Sequence, residues 1–442
     1  MDIGKLKIEF TDREITPWGG IALMKKLIDK TGIIQKLASL PLPVQRSNRG
    51  YSPLQLIINF WVGIWCGANR FEHLEVTRQD NVIRKLFGWE RMAGHKAFER
   101  YFRKFSQAKN HAVFNELYRW FFDQLKFDNF TLDFDSTVMT RYGEQEGAAV
   151  GYNPAKRGRK SHHPLLAVIA ECRMVANIWL RPGNTGAANN FCSFLCETLS
   201  HLAGKTIGLL RADSGFHDQK IFEFLENYII PIPYIIAMKF YKPIQRILAQ
   251  QTTWLQLDDG IEIGETMYRH PEWKKERRII MVRQQITKRP KATGKQLRLF
   301  GDEGIYKNYR YSSFVTTLLL PAHQVWCLYR GRSDAENRFK ELKYDFGAGA
   351  FNLNAFYATE TTLHFVMMAY NLMSLFRQII LRDAVQSTLK TIRYKAFAIG
   401  AYLVHDGNCR ILKLSLAMKR REWFSGLWSS FDDLTFPQSL PP

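Results

Sequence analysis

Between residues 128 and 240 the hydrophobic pattern changes from helical spacing to short β-type runs, and their order constrains the fold more than any other feature of the chain. The runs NFTLDFDST, PLLAVIAECR, VANIWLRPG, TIGLLRADSG and PYIIAMKF are strand candidates, with helical stretches around 189–204 and 217–228 between some of them. Three strands, a helix, a strand, a helix and a further strand form an α/β order and predict a mixed sheet.

The flanks read differently. Residues 1 to about 125 read as helical, with Ser52 as an N-cap and Pro53 opening the run LQLIINFWVGIW. After a turn at Gly94, HKAFERYFRKF places Ala97, Phe98, Tyr101, Phe102 and Phe105 on one face. Lys96, Arg100, Arg103 and Lys104 fall largely off that stripe, which suits a DNA recognition helix and a plain solvated face equally. Residues 240–325 alternate and are rich in β-branched and aromatic residues, so they read as a β-rich insertion around the basic loop ITKRPKATGKQLRLFGDEG. From 326 the chain reads as helical to its end.

A formal net charge of +21 over 442 residues favours a polyanionic partner, through phosphate neutralisation and counterion release. Six cysteines are scattered, and only Cys192 and Cys196 are close, one helical turn apart with no histidines beside them. That is no zinc spacing, so reduced, mostly buried thiols and a cytoplasmic setting are expected. The N-terminus MDIGKLKIEF lacks the apolar region of a signal peptide. Leu56–Ala68 and Leu363–Phe376, the most apolar stretches, are too short to span a bilayer and read as core helices.

Nuclease chemistry on Mg²⁺ needs three or four carboxylates converging from separate elements, because the ion is hard, prefers oxygen and keeps positions open for water and phosphate. Asp133 and Asp135 share one face at the end of a predicted strand, costly unless they hold a cation, although a strand ending at an exposed turn would read the same way. Asp213 ends another apolar strand before a glycine turn, where ligands collect in α/β sheets and where an aspartate also caps helices. Tyr329, Arg332, Glu336 and Lys343 follow at spacings of three, four and seven. On a helix they gather one carboxylate, two cations and a phenol on one side, equipment for holding a phosphate. Ser333 to Glu336 also reads as a capping box on a solvated helix.

Those four residues match the Y-(2)-R-(3)-E-(6)-K signature of the insertion-sequence-4 superfamily of DDE transposases. Gly151-Tyr152-Asn153-Pro154, the run KRGRKSHHPLL and RADSGF resemble the insertion-sequence-1380 group within it, and the likeness extends from about residue 10 to the C-terminus. The resemblance implies a ribonuclease-H-like catalytic core in two parts, 126–239 and 326–376, interrupted by the insertion at 240–325. A helical DNA-binding domain at 1–125 and a helical region at 377–442 flank it. It implies Asp135, Asp213 and Glu336 as catalytic metal ligands; the family's first aspartate precedes a small hydroxyl pair, which selects Asp135 and leaves Asp133 as a possible accessory ligand. Two Mg²⁺ ions, with Mn²⁺ able to substitute, are the implied cofactors. Tyr329, Arg332 and Lys343 are the implied phosphate contacts, and Trp326 is a candidate for stacking a flipped base in a hairpin intermediate, as some relatives form. Lys156, Arg157, Arg159 and Lys160, followed by His162 and His163, read as a loop that could clamp a DNA backbone or merely be solvated. The clusters Lys274, Lys275, Arg277, Arg278 and Lys419, Arg420, Arg421 are weaker cases of the same kind.

The implied activity is cut-and-paste transposition on double-stranded DNA, the transposon's terminal inverted repeats and a target, by a homodimer assembled on DNA. Two other classes compete: a transposase-derived DNA-binding protein without catalysis, and a nuclease that cuts without strand transfer. The intact acids and signature weigh against the first, and the long helical N-terminal region and the insertion against the second.

Overall fold

The computed structural model describes residues 6–45, 49–285, 309–383 and 385–439. The chain forms two compact units that interleave along the sequence: Met1–Val113 with Glu341–Asn352 and Phe365–Phe436, and Phe114–Lys340 with Leu353–His364 and Pro437–Pro442.

The second unit is built on one large mixed sheet. Its centre is β1 (Phe130–Ser136), β2 (Leu165–Ile169), β3 (Met174–Trp179), β4 (Ile207–Ala212) and β5 (Tyr234–Ala237). Helices α1 (Phe191–His201) and α2 (Gln219–Glu226) make the crossovers that bring β4 and β5 in parallel to β1. β1, β2 and β3 instead run antiparallel in succession. All five predicted strands and both predicted helices are present. β2 is buried along its whole length, which is why its sequence is an unbroken apolar run rather than an alternating one.

The predicted β-rich insertion continues this sheet rather than standing apart. Helix α3 (Lys242–Gln250), which the alternating pattern did not suggest, leads into β6 (Leu255–Asp258), β7 (Ile261–Tyr268), β8 (Arg277–Gln285) and β9 (Tyr309–Thr316). β9 returns to pair antiparallel with β5, setting Phe314 opposite Ala237 and Thr316 opposite Ile235. Among the described residues the sheet has nine strands in the order β6-β7-β8-β9-β5-β4-β1-β2-β3. The basic loop ITKRPKATGKQLRLFGDEG lies outside the described residues. Two helices follow β9: α4 (Ala322–Arg330) and α5 (Ser333–Tyr344). Val325 of α4 is buried against Leu209, Ile235, Ile263, Ile280, Val282 and Phe314, so α4 lies on one face of the sheet.

The first unit holds the predicted N-terminal helices as far as Val113; the helix Gln107–Asp123 continues into the second unit. The Ser52 hydroxyl caps Pro53–Trp65 by accepting from the Gln55 N–H, and the helix is buried from Leu56 to Trp65. The Trp61 and Trp65 indoles donate to the carbonyls of Phe365 and Ala369, at 2.9 and 3.1 Å, so the two most apolar stretches of the chain meet in one core. Among the described residues no helix is long and apolar enough to cross a membrane. His95–Phe102 buries Phe98, Tyr101 and Phe102 and leaves Lys96 and Arg100 exposed. Two expectations need correction. The chain is not helical from 326 to its end, because Ala401–Asp406 and Cys409–Leu414 form an antiparallel hairpin whose turn places Gly407 at φ 56°. The thiols are free but not mostly buried: Cys66 and Cys172 are, whereas Cys196, Cys327 and Cys409 are exposed.

Candidate active site

The register between β1 and β4 sets Asp133 opposite Arg211 and Phe134 opposite Ala212. Asp135 follows on β1, one residue before its end, and Asp213 is the first residue after β4. Alternation divides these residues between the faces of the sheet. Phe134 packs on Phe191 and Phe194 of α1, with ring centroids 4.9 and 6.0 Å away. Asp133, Asp135, Arg211 and Asp213 belong to the opposite face, which also carries Leu209 beneath α4.

Asp133 is already paired with a cation of the protein itself. Both of its oxygens accept from Arg211, from Nε and Nη2 at 2.7 Å each, and both side chains are buried. Arg211 also donates from Nη1 to the Leu328 carbonyl at 2.5 Å, which ties strand β4 to the last turn of α4. Gly331 makes room for this, since a Cβ there would lie 2.7 Å from the same guanidinium nitrogen. An alanine at Gly331 should therefore dislodge Arg211 and lower the melting temperature; an unchanged melt would show that the contact is dispensable.

Arg332 occupies the middle of the acids. Its Nη2 lies 3.5 Å from Asp135 Oδ1 and its Nη1 3.2 Å from Glu336 Oε1. Nη2 also donates to the Phe134 carbonyl at 3.4 Å, while the buried Nε has no hydrogen-bond partner among the described residues. The Arg332 side chain is 7% exposed, that of Asp135 19% and that of Glu336 55%. Asp213 turns one oxygen back to the Gly215 N–H at 2.8 Å. Burial pushes the Asp135 carboxyl up to about 6; Arg332 offsets part of this, and the negative charges of Asp213 and Glu336 add to it. Burial likewise pushes the Tyr329 hydroxyl up to about 12, so it stays a neutral donor, its ring against Phe314 at 4.3 Å.

The raised Asp135 carboxyl has a testable consequence for stability. A carboxyl that holds its proton more tightly in the fold adds stability that is complete below the ordinary value of 3.8 and lost as pH rises through about 6. In chelating buffer at pH 8, Asp135→Asn should be more stable than the parent by at most about 3 kcal/mol, and the difference should vanish below pH ~4. Equal urea midpoints at pH 8 would contradict it.

The signature residues are arranged otherwise than one continuous helix would have them. Tyr329 lies in α4 and Glu336 in the first turn of α5, with Gly331 and Arg332 at the break. Lys343 follows in the last turn of α5, is half-buried, and belongs to the other unit. Trp326 is partly buried on the α4 face of the sheet under the Arg330 guanidinium, 4.9 Å from its ring. Lys156, Arg157, Arg159 and Lys160 are all exposed; Lys160 pairs with Glu144 at 2.7 Å and Arg159 stands over Tyr142. His162 is buried, accepts from Arg141 Nε at 2.9 Å, and is held down to about 4 by burial and by Arg141, so it is a neutral structural residue.

Two residues with site roles were missed from the sequence. Arg211 is one; it stands two residues before Asp213 on the same strand face, but only the β1–β4 register reveals its partner. Arg181 is the other: it donates to the Ser136 hydroxyl at 2.9 Å, to the His163 carbonyl at 3.0 Å and to the Asn189 carbonyl at 2.7 Å, fixing the residue next to Asp135.

Asp135 and Glu336 share the Arg332 cation, and with Asp213 they offer three oxygen donors, the right chemistry for a hard divalent metal ion; such an ion would relieve the burial and the neighbouring negative charges that push the Asp135 carboxyl up. Among the described residues, however, no three His, Cys, Asp or Glu side chains are gathered closely enough to hold one as they stand. Arg332 serves as the counter-ion in this arrangement.

No curated protein matches the chain by sequence. Among solved structures, a piggyBac transposase synaptic complex with hairpin DNA is similar at 9% identity and a TM-score of 0.49, over 87% of this chain and 81% of that one. A family model described as transposase DDE domain group 1 matches residues 2–435, nearly the whole chain. With a match of that extent, the chain belongs to the transposase DDE domain group 1 family.

Proposed function

We propose that the chain is a cut-and-paste transposase of the insertion-sequence-4 superfamily, in its insertion-sequence-1380 group, whose catalytic acids are Asp135, Asp213 and Glu336. The observation that carries the reading is the placement of Asp135 and Asp213 at adjacent strand ends, with Glu336 joined to Asp135 through Arg332. The order β3-β2-β1-β4-β5, antiparallel through β1 to β3 and parallel from β1 to β5, supports a ribonuclease-H-like core that the insertion extends at β5.

In this reading water attacks a phosphorus at the transposon end and the 3′ oxygen of that strand leaves. The freed 3′-hydroxyl then attacks a target phosphodiester, so one phosphoester bond forms as another breaks. Asp135, Asp213 and Glu336 would hold Mg²⁺, or Mn²⁺ in its place, which when bound supplies Lewis acidity at the phosphate and a more acidic water. Arg332 keeps Asp135 and Glu336 together. Tyr329 donates its phenol proton as a hydrogen bond, Lys343 lies two turns beyond Glu336 on α5, and the exposed Lys156–Lys160 loop neutralises backbone charge. Trp326 remains the candidate for stacking a displaced base. The DNA partner is duplex, the element's terminal repeats and its target, with two copies of the chain acting on paired ends in the cytoplasm.

The test is an assay with DNA carrying the element's ends and Mg²⁺. Products joined into a target plasmid support transposition; cleavage without joining would favour a nuclease, and neither would favour a DNA-binding protein. Lys343→Ala should weaken end processing more than non-specific binding, and unchanged processing would make its place in the signature a surface coincidence. With several phosphate contacts, affinity should fall roughly 10³-fold or more between 50 and 200 mM salt. A flat salt response would count against a phosphate-dominated interface.

A further inference from the structure

We propose that the first unit carries a second nucleic-acid site, a cleft that takes an unpaired nucleotide. It is an open groove lined by Thr391, Tyr394, Lys395, Lys419, Arg420 and Trp423. The inference rests on reading the chain as a DNA-acting enzyme, yet it uses none of the residues of the acid site.

The lining holds three cations and two aromatic rings and no carboxylate. Trp423 organises two of the cations: the Arg420 guanidinium stands 5.4 Å and the Lys395 ammonium 5.9 Å from its ring centroid. Arg420 also donates to the Lys395 carbonyl, and Lys395 pairs with Asp383 at 2.9 Å. Lys419 is exposed and, among the described residues, has no carboxylate within ion-pair distance. Tyr394 leaves 70% of its surface in water, with its ring unused by the fold.

The helix beside the cleft adds an independent argument. Met418–Ser429 begins with Lys419, Arg420 and Arg421 and has no acid in its first turn. Cations at the positive end of a helix dipole oppose the field there, and an anion bound among them removes the conflict. A phosphate on Lys419 and Arg420 meets that need. The exposed Tyr394 ring beside it calls for a flat apolar partner, and a base offers its face only when it is unpaired. An isolated anion would leave the ring without a role, and a duplex backbone would leave the bases out of reach.

The experiment titrates the full chain with a short fluorescein-labelled oligothymidylate and, separately, with a blunt duplex, following anisotropy. Tyr394→Ala and Lys419→Glu should each weaken single-strand binding roughly tenfold while changing duplex binding less than about twofold. Both positions are exposed, so the melting temperatures should match the parent, and Lys419→Ala replaces Lys419→Glu if that variant melts early. Unchanged single-strand affinity in both variants overturns the proposal, and so does an equal loss for duplex, which would make the cleft a plain basic patch. Cleavage that depends on Asp135 in the same preparations leaves the acid-site reading standing when the cleft fails. Cleavage that ignores Asp135 fails that reading while the oligonucleotide result decides this one.

Discussion

Alanine at Asp135, Asp213 or Glu336 is expected to reduce end cleavage on the order of 10³-fold or more, with binding to the element's ends retained. The three substitutions differ in what they do to the fold, which makes the result interpretable. Glu336 is more than half exposed and, among the described residues, pairs with Arg332 alone, so its removal should leave the helix intact. Burial pushes the Asp135 carboxyl up to about 6, so its loss removes a disfavoured charge at neutral pH together with the contact to Arg332. Inactive proteins that melt at or above the parent temperature would locate the defect in the chemistry. Retained cleavage in any one of the three would break the assignment of that residue, and retained cleavage in all would return the chain to the class of DNA-binding proteins.

The second large effect concerns stability. Removing one partner of the buried Asp133–Arg211 pair, by Asp133→Ala or Arg211→Met, leaves an unpaired charge in the sheet interior. The cost should be about 3–5 kcal/mol, or roughly 6–20 °C in the melting temperature of a unit of this size. Asp133→Leu combined with Arg211→Met should recover most of it, because an apolar pair removes both charges at once. Differential scanning fluorimetry decides between the outcomes: a drop of less than about 2 °C in both single variants would mean that water reaches the pair. Since Arg211 also holds the Leu328 carbonyl, the single variants should in addition loosen the approach of α4 to the acids.

Much of this was legible in the sequence because strands and acids carry local signals. The five core strands announce themselves as apolar runs bounded by turns, and Asp135 and Asp213 as acids at strand ends, where α/β sheets place their ligands. What was not legible depends on pairing. Asp133 and Asp135 look equivalent by alternation, and only the residue on the adjacent strand distinguishes them: Arg211 faces Asp133. The break between α4 and α5 carried one local signal, the helix-weakening Gly331 that caps α4, while the reason for the glycine is the Arg211 side chain beside it. The hairpin at Ala401–Leu414 was missed although its signal was present, alternating residues around Asp406-Gly407. Helix α3 was hidden within a β-rich composition, its polar face carried by Lys242, Gln245 and Arg246.

The return of β9 to the edge of β5 also sets an order of events during synthesis. Asp135 and Asp213 can be brought side by side as soon as β1 and β4 have left the ribosome. Glu336 cannot join them until the whole insertion has been made, β9 has found β5, and α4 has settled on the face they share. Pairings between such distant segments are slow compared with local ones. The third acid of the proposed site therefore arrives by a slow, long-range route, after most of the chain has been made.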